Sequence, residues 1–236
     1  MQNNLPKNCI ANIEKNINYT FQDKGLILRS LTHSSYAHDN NLDYNYERLE
    51  FLGDAVVELI ITEYLVKQYP LYQEGDLSVL RAYIVNSSTL FDISSKIDLS
   101  NNILLGKSEF NGLNNIKKAI VADIFEAVMA AVYLDGGYEK VKTIVLNLLE
   151  DFIIEAVKNN SFRDAKTQLQ QICQRDYGTL PEYTLISSSG PEHNKTFHVE
   201  VDVCGKVKAR GSGKSKKEAE KEAASAALRI YNNQNV

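Results

Sequence analysis

Between Ala119 and Leu134 every residue is apolar or aromatic except Asp123 and Glu126. A helix so apolar all round belongs in a core, and its two charges, three residues apart, fall on one face. The pattern repeats upstream. Glu47, Glu50 and Asp54 stand at i, i+3 and i+7 ahead of the apolar run Ala55, Val56, Val57, Leu59, Ile60 and Ile61. At about 100° per residue they lie within about 60° of arc. Buried carboxylates of like sign are costly unless a cation neutralises them. Two apolar helices with inward-capable acids therefore predict one oxygen-lined site for a hard cation such as Mg²⁺, which takes oxygen ligands in octahedral geometry. The alternative puts the acids at solvated helix edges, or in pairs with Arg81 or Lys118.

A net charge of −4 looks unsuited to a nucleic-acid partner until the 236 residues are divided. Residues 1–162 carry 14 Lys and Arg against 21 Asp and Glu, whereas residues 163–236 carry 12 against 9. The excess is densest where Lys206, Lys208, Arg210, Lys214, Lys216, Lys217 and Lys221 face only Glu218 and Glu220. A charge run is commonly a solvated face, but this one sits at a helix start. Gly211-Ser212-Gly213-Lys214-Ser215-Lys216-Lys217 places two flexible glycines, a serine for the N-cap and three lysines at the mouth of the last helix. Free N–H groups and the positive end of the dipole already favour phosphate there. Ala219, Ala223, Ala224, Ala226 and Ala227 let that helix pack closely on a sheet.

The hydrophobic period changes at the same boundary. Residues 55–66, 77–91, 119–134 and 141–157 carry apolar residues at helical spacing, and the polar break Lys158-Asn159-Asn160-Ser161 ends the series. Beyond it, 167–175 reads as a helix, 182–187, 196–203 and 207–211 alternate as strands, and 216–230 is helical again. The expectation is an all-α domain over 1–158 followed by a small α+β domain, α-β-β-β-α, over 163–236. No apolar run reaches membrane-spanning length without a charge, and the first residues lack a basic-then-apolar pattern. A cytoplasmic protein without a membrane partner is expected. Cys9, Cys173 and Cys204 show no paired short spacing, which speaks against a disulfide framework or a zinc site and predicts small buried residues.

The string Glu47-Arg48-Leu49-Glu50-Phe51-Leu52-Gly53-Asp54 resembles the signature of the ribonuclease III family. Leu31-Thr32-His33-Ser34-Ser35-Tyr36 resembles the segment that precedes it. Glu74-Gly75-Asp76-Leu77-Ser78 with Arg81-Ala82, and Ala122-Asp123-Ile124-Phe125-Glu126-Ala127, follow in that family's order and spacing, so the resemblance covers nearly the whole chain. Residues 163–236 are similar to a double-stranded RNA-binding domain, whose lysine clamp grips phosphates across the major groove. Such domains read the shape of the A-form duplex and its 2′-hydroxyls.

The resemblance implies an endoribonuclease that hydrolyses double-stranded RNA with Mg²⁺, or Mn²⁺ in its place, and without an organic cofactor. It implies Glu50, Asp123 and Glu126 as metal ligands and Asp54 as support for the metal and the attacking water. Asp54 and Glu126 are then the catalytic pair, and Glu126 is the residue whose loss stops chemistry. Glu47, Glu74 and Glu109 match further acidic positions, although Glu47 could equally serve a dimer salt bridge. Phe51 matches an aromatic residue that seats in the partner subunit, the alternative being ordinary core packing. A homodimer follows, one catalytic valley per chain cutting one strand.

RNA contacts are implied at Thr167, Gln168 and Gln171, at Pro191, Glu192, His193 and Asn194 in the first strand-to-strand loop, and at Lys214, Ser215, Lys216 and Lys217. Glu220 departs from the pattern, standing where many members carry a basic residue. The implied products have 5′-phosphate and 3′-hydroxyl ends with short 3′ overhangs, and the implied substrates are ribosomal, messenger and transfer RNA precursors. No Ser/His/Asp arrangement is evident, and His33 and His38 lie in a polar segment. A non-catalytic relative would be expected to lose acids that are all present here, and the basic C-terminal domain argues against a small-molecule phosphohydrolase.

Overall fold

A computed structural model of the chain describes residues 7–109, 116–191 and 195–234. The chain divides into two compact units, Met1–Asn159 and Asn160–Val236. Among the described residues no helix is long and apolar enough to cross a membrane.

The first unit contains α1 (Lys7–Ile17), α2 (Lys24–Ser30), α3 (Ser34–Asp39), α4 (Glu47–Gln68), α5 (Glu74–Ile84), α6 (Ser87–Ser94), α7 (Lys118–Gly136) and α8 (Tyr138–Lys158), with short 3₁₀ turns at Ser95–Ile97 and Leu99–Asn102. The apolar helix α7 is the axis of the unit. Val121, Ile124, Phe125, Val128 and Val132 are fully buried, and α2, α4, α6 and α8 pack around it. Its most extensive partner is α4. The two backbones touch at Gly53, where an added Cβ would overlap the main-chain carbonyl of Glu126.

The apolar period over 77–91 does not make one helix. Asn86 takes extended backbone, and its side-chain oxygen accepts from the Thr89 N–H at 3.0 Å, so α6 starts afresh after α5. An N-cap of this kind contributes about 1 kcal/mol, enough to override a continuous apolar stripe. The short helices α2 and α3 are likewise fixed by caps. Asp23 accepts from the Gly25 N–H at 2.7 Å, and the ring of His33 accepts from the Ser35 N–H at 3.2 Å.

The second unit contains α9 (Ala165–Tyr177), β1 (Glu182–Ser189), β2 (Thr196–Val203), β3 (Val207–Gly213) and α10 (Lys216–Gln234). The strands form an antiparallel meander in the order β1-β2-β3, so the α-β-β-β-α reading holds. Leu169, Val199, Val201, Val203, Ala219, Ala223 and Ala227 form its core. Gly211 and Gly213 are not flexible joints, as their sequence context suggested, but belong to β3. A Cβ on Gly211 would overlap the backbone of Ala219 and Ala223, and one on Gly213 would meet Glu218. The glycines and the alanines of α10 are thus two halves of one close helix-on-sheet contact. Of the three free cysteines only Cys173 is buried; Cys9 and Cys204 are half-buried.

Candidate active site and RNA-binding surface

The contact between Gly53 and the backbone of Glu126 decides where the acids meet. Glu50 and Asp54 lie on α4 on either side of that glycine, and Asp123 and Glu126 lie on α7. Glu50, Asp123 and Glu126 are half-buried and Asp54 is exposed. Burial first, and then the charges of Asp54, Asp123, Glu50 and Glu58, raise the carboxyl of Glu126 to about 8. Burial also raises Glu50, with Asp123, Glu47 and Asp54 adding to it. Asp123 is raised by burial, against a smaller opposing effect of His33. The two helices' acids therefore interact across the contact, Asp54 and Glu50 acting on Glu126 and Asp123 acting on Glu50, which the sequence pattern required of a single site.

The alternative pairings do not occur among the described residues. Arg81 donates to the Thr62 hydroxyl at 3.2 Å, and the ammonium of Lys118 lies over the Phe91 ring at 5.0 Å. Glu74 stands apart, opening α5 and accepting from Ser78 at 2.8 Å. Glu109 pairs with Lys117 at 3.3 Å. Glu58 was not singled out from sequence, although it continues the acidic stripe four residues after Asp54.

Two further side chains, His33 and Tyr46, interact electrostatically with these acids. The His33 ring stacks on Tyr46 with centroids 5.5 Å apart and planes at 16°. Its Nδ1 accepts from the Ser35 backbone, which places the proton of the neutral ring on Nε2. Burial lowers its affinity for a proton, while Glu109, Glu47 and Asp123 oppose that shift. Tyr46, buried at the head of α4, has its hydroxyl held well above the usual phenol range by burial and by Asp123, Glu50 and Glu47. No signal in the sequence marks Tyr46, because its interaction with the acids is made by tertiary packing.

The donor set fits a hard divalent cation: four carboxylates from two rigid helices, their charge uncompensated by any described Lys or Arg. Among the described residues no three His, Cys, Asp or Glu side chains are gathered tightly enough to enclose an ion. Burial of like charges supplies a penalty that a cation bound among them would relieve.

In the second unit the basic run separates into two groups. Lys208 pairs with Asp202 at 3.0 Å, Arg210 with Glu200 at 2.8 Å, and Lys221 with Asp164 at 3.9 Å. Among the described residues Lys216 and Lys217 have no such partner, and both are exposed in the first turn of α10. Ser215 caps that turn, its hydroxyl accepting from the Glu218 N–H at 3.2 Å, while Glu218 accepts from the Lys214 N–H at 2.8 Å. Glu220 is held by Lys166 at 2.6 Å, so its charge is met inside the unit. On α9, Thr167 and Gln171 are exposed. Gln168 is engaged locally, accepting from Asn160 at 2.9 Å and donating to the Arg163 carbonyl at 3.2 Å. His193 and Asn194 lie outside the described residues, as does Glu192.

Phe51 is 84 % exposed, which removes core packing as its explanation. With Ala55, Leu59 and Val66, all exposed, it forms an apolar stripe on α4. At about 100° per residue this stripe lies next to the acidic one.

Comparison with known proteins agrees with both units. The profile described as "Ribonuclease-III-like" matches residues 23–152, and that of the "Double-stranded RNA binding motif" matches residues 165–231. A protein named "Ribonuclease 3" from Wolinella succinogenes is 41% identical over 222 residues, covering 94% of this chain and 92% of that one. Another of that name, from Caldanaerobacter subterraneus, is 45% identical over 217 residues, covering 92% and 95%. Among solved structures, a nuclease domain of ribonuclease III from Campylobacter jejuni, with structural flexibility in a region involved in dimer formation, is similar with a TM-score of 0.56. It is 41% identical and covers 60% of this chain and 96% of that one.

Proposed function

The chain belongs to the ribonuclease III family, and from that membership we propose that it is an endoribonuclease cutting double-stranded RNA by Mg²⁺-dependent phosphodiester hydrolysis. The observation that carries the chemistry is Glu126, a carboxyl pushed up to about 8 among acids from two helices.

Glu50, Asp123 and Glu126 would hold the divalent ion, with Asp54 supporting it from the exposed end of the stripe. Bound there, the ion supplies an activated water and neutralises charge on the scissile phosphate and the departing 3′-oxygen. The protein's own share is positional. Helices α4 and α7 fix the carboxylates at their backbone contact, and the stacked His33 and Tyr46 stand at the head of α4. The products are then 5′-phosphate and 3′-hydroxyl ends, and the substrates are structured ribosomal, messenger and transfer RNA precursors in the cytoplasm. Mn²⁺ is expected to substitute for Mg²⁺. Residues 1–158 would carry the chemistry and residues 163–236 would hold the duplex. Incubation with a long perfect RNA duplex, with and without Mg²⁺, tests the activity. Ladder-like shortening that requires the ion is the expected result, and intact duplex with the ion would reduce the protein to a binder.

The clamp at α10 would grip phosphates through Lys216 and Lys217, which have no ion-pair partner among the described residues and are exposed in its first turn. Replacing both with alanine should weaken binding across all duplex sequences and lower the slope of log Kd against log salt by about two, because each phosphate contact contributes about one. An unchanged slope would make the run a solvated face.

Duplex cutting needs two valleys, and the Phe51 stripe supplies an isologous surface. A twofold axis near the middle of α4 would lay Phe51 of one subunit against the partner's groove between α4 and α5, lined by Thr62, Leu65, Val66, Leu77, Ser78 and Arg81. Phe51→Asp should shift the protein to monomer in sedimentation velocity and reduce duplex cutting at least about tenfold, since a buried charge would replace an aromatic anchor. A dimer of undiminished strength would exclude this face.

A further inference from the structure

We propose that Arg29 and Arg48 form a subsite for a backbone phosphate of the RNA strand at the N-terminal end of α4, a proposal that rests on the duplex-RNA reading above. The two arginines come from α2 and α4 to line one pocket of about 350 Å³, together with Asp43, Tyr44 and Asn45. The Arg29 guanidinium lies over the Tyr44 ring at 5.5 Å. That contact holds the planar fork in place without neutralising it.

Several cations of the unit are held in ion pairs. Lys24 is paired with Glu14, Lys67 and Lys142 with Glu63, and Lys117 with Glu109. Among the described residues neither Arg29 nor Arg48 has a carboxylate partner, and both are exposed. Two guanidinium groups thus face the single carboxylate of Asp43 in a pocket that is net positive, within a region carrying 14 basic against 21 acidic residues. A polyanion approaching so acidic a surface needs local cations. A guanidinium fork matches two oxygens of one phosphate, and its charge-assisted bonds are roughly twice as strong as neutral ones.

Position ties the pocket to the chemistry. Arg48 lies between Glu47 and Glu50 on α4, within one turn along the axis but about 100° around the helix from Glu47, so the pocket flanks the acidic stripe. A duplex bound over Glu50, Asp54, Asp123 and Glu126 and reaching across that flank of α4 would present a further backbone phosphate to the pocket. Held there, it offsets the repulsion between the strand and the carboxylates and fixes the strand's register across them.

The test uses the full chain in two backgrounds. With Glu126→Gln, so that RNA is bound but not cut, Arg29→Gln should raise Kd for a long duplex at least fivefold at 0.15 M salt and lower the log–log salt slope by about one. Asp43→Asn should act in the opposite direction and tighten binding at least twofold, an outcome that loss of a merely structural contact would not give. In the cleaving chain, Arg29→Gln should raise KM by a similar factor while kcat moves less than twofold. Unchanged Kd and slope for Arg29→Gln, or no tightening with Asp43→Asn, would overturn the subsite. So would dissociation of an Arg29→Gln dimer at unchanged slope, which would assign the pocket to the subunit interface. Failure of the endonuclease reading would appear separately, as a parent chain that leaves the duplex uncut in the presence of Mg²⁺.

Discussion

Glu126→Gln is expected to cut duplex RNA at least about a hundredfold more slowly than the parent chain while binding it with nearly the same affinity. The substitution removes one anionic ligand oxygen from the proposed ion site and leaves the lysine clamp untouched. The same change should stabilise the protein when no divalent ion is present. The folded carboxyl titrates near 8 against an ordinary value of 4.5. Between those pH values the folded state keeps a proton that the unfolded chain has released, so this group lowers stability as pH rises through the window, and the penalty is fully developed above pH 8. Glutamine is neutral throughout. The variant's Tm should therefore exceed the parent's by several degrees at pH 8 without metal, and by little at pH 5. Mg²⁺ should close the gap by stabilising the parent more than the variant. Thermal melts at the two pH values, with and without Mg²⁺, check this alongside single-turnover cleavage. A Glu126→Gln protein with normal cleavage would remove this residue from the site.

The acidic helices were legible because a charge inside an apolar period is costly wherever that helix packs, so the pattern itself demands a counterpart. What could not be read was how partners are distributed. Lys208, Arg210 and Lys221 look like Lys216 and Lys217 in a linear charge count, yet β2 and the start of α9 supply acids for the first three. Glu220, which seemed to weaken the RNA-binding surface, is met by Lys166, fifty-four residues away in sequence. The same limit applies to His33 and Tyr46, whose stacking goes with a long-range tie, the Tyr46 N–H donating to the Thr32 carbonyl at 3.0 Å. Periodicity also missed the boundary between α5 and α6, because a cap at Asn86 interrupts the backbone without interrupting the apolar stripe. Glycine was the least legible residue of all. Gly211, the end of the expected strand, and Gly213 suggest flexibility at the mouth of the last helix, whereas both belong to β3 and the space of their missing side chains is filled by α10.

Gly53→Ala should be the most damaging small substitution in the first unit. In an open helix, alanine in place of glycine adds about 0.5–1 kcal/mol of stability. Here the added methyl would overlap the Glu126 carbonyl, and main chain of two packed helices cannot rotate out of the way as a side chain could. Overpacking typically costs about 1–3 kcal/mol, and a backbone clash lies at or beyond the upper end, so strain outweighs the gain in propensity. The expected net loss is about 2 kcal/mol or more, seen as a Tm lower by at least about 4 °C. Gly75 in α5 provides the control, since an added Cβ there meets nothing within 4 Å. Gly75→Ala should leave Tm unchanged or raise it slightly. Any Gly53→Ala protein that still folds must carry α4 and α7 further apart at the point where Glu50 and Asp54 face Asp123 and Glu126. Displacement of about 1 Å at a reacting centre can cost a hundredfold in rate, so cleavage should fall by that order even well below the melting temperature, with binding through the clamp preserved. Normal cleavage together with a normal melt would mean that the two helices yield at this contact, and that the spacing of the carboxylates is set elsewhere.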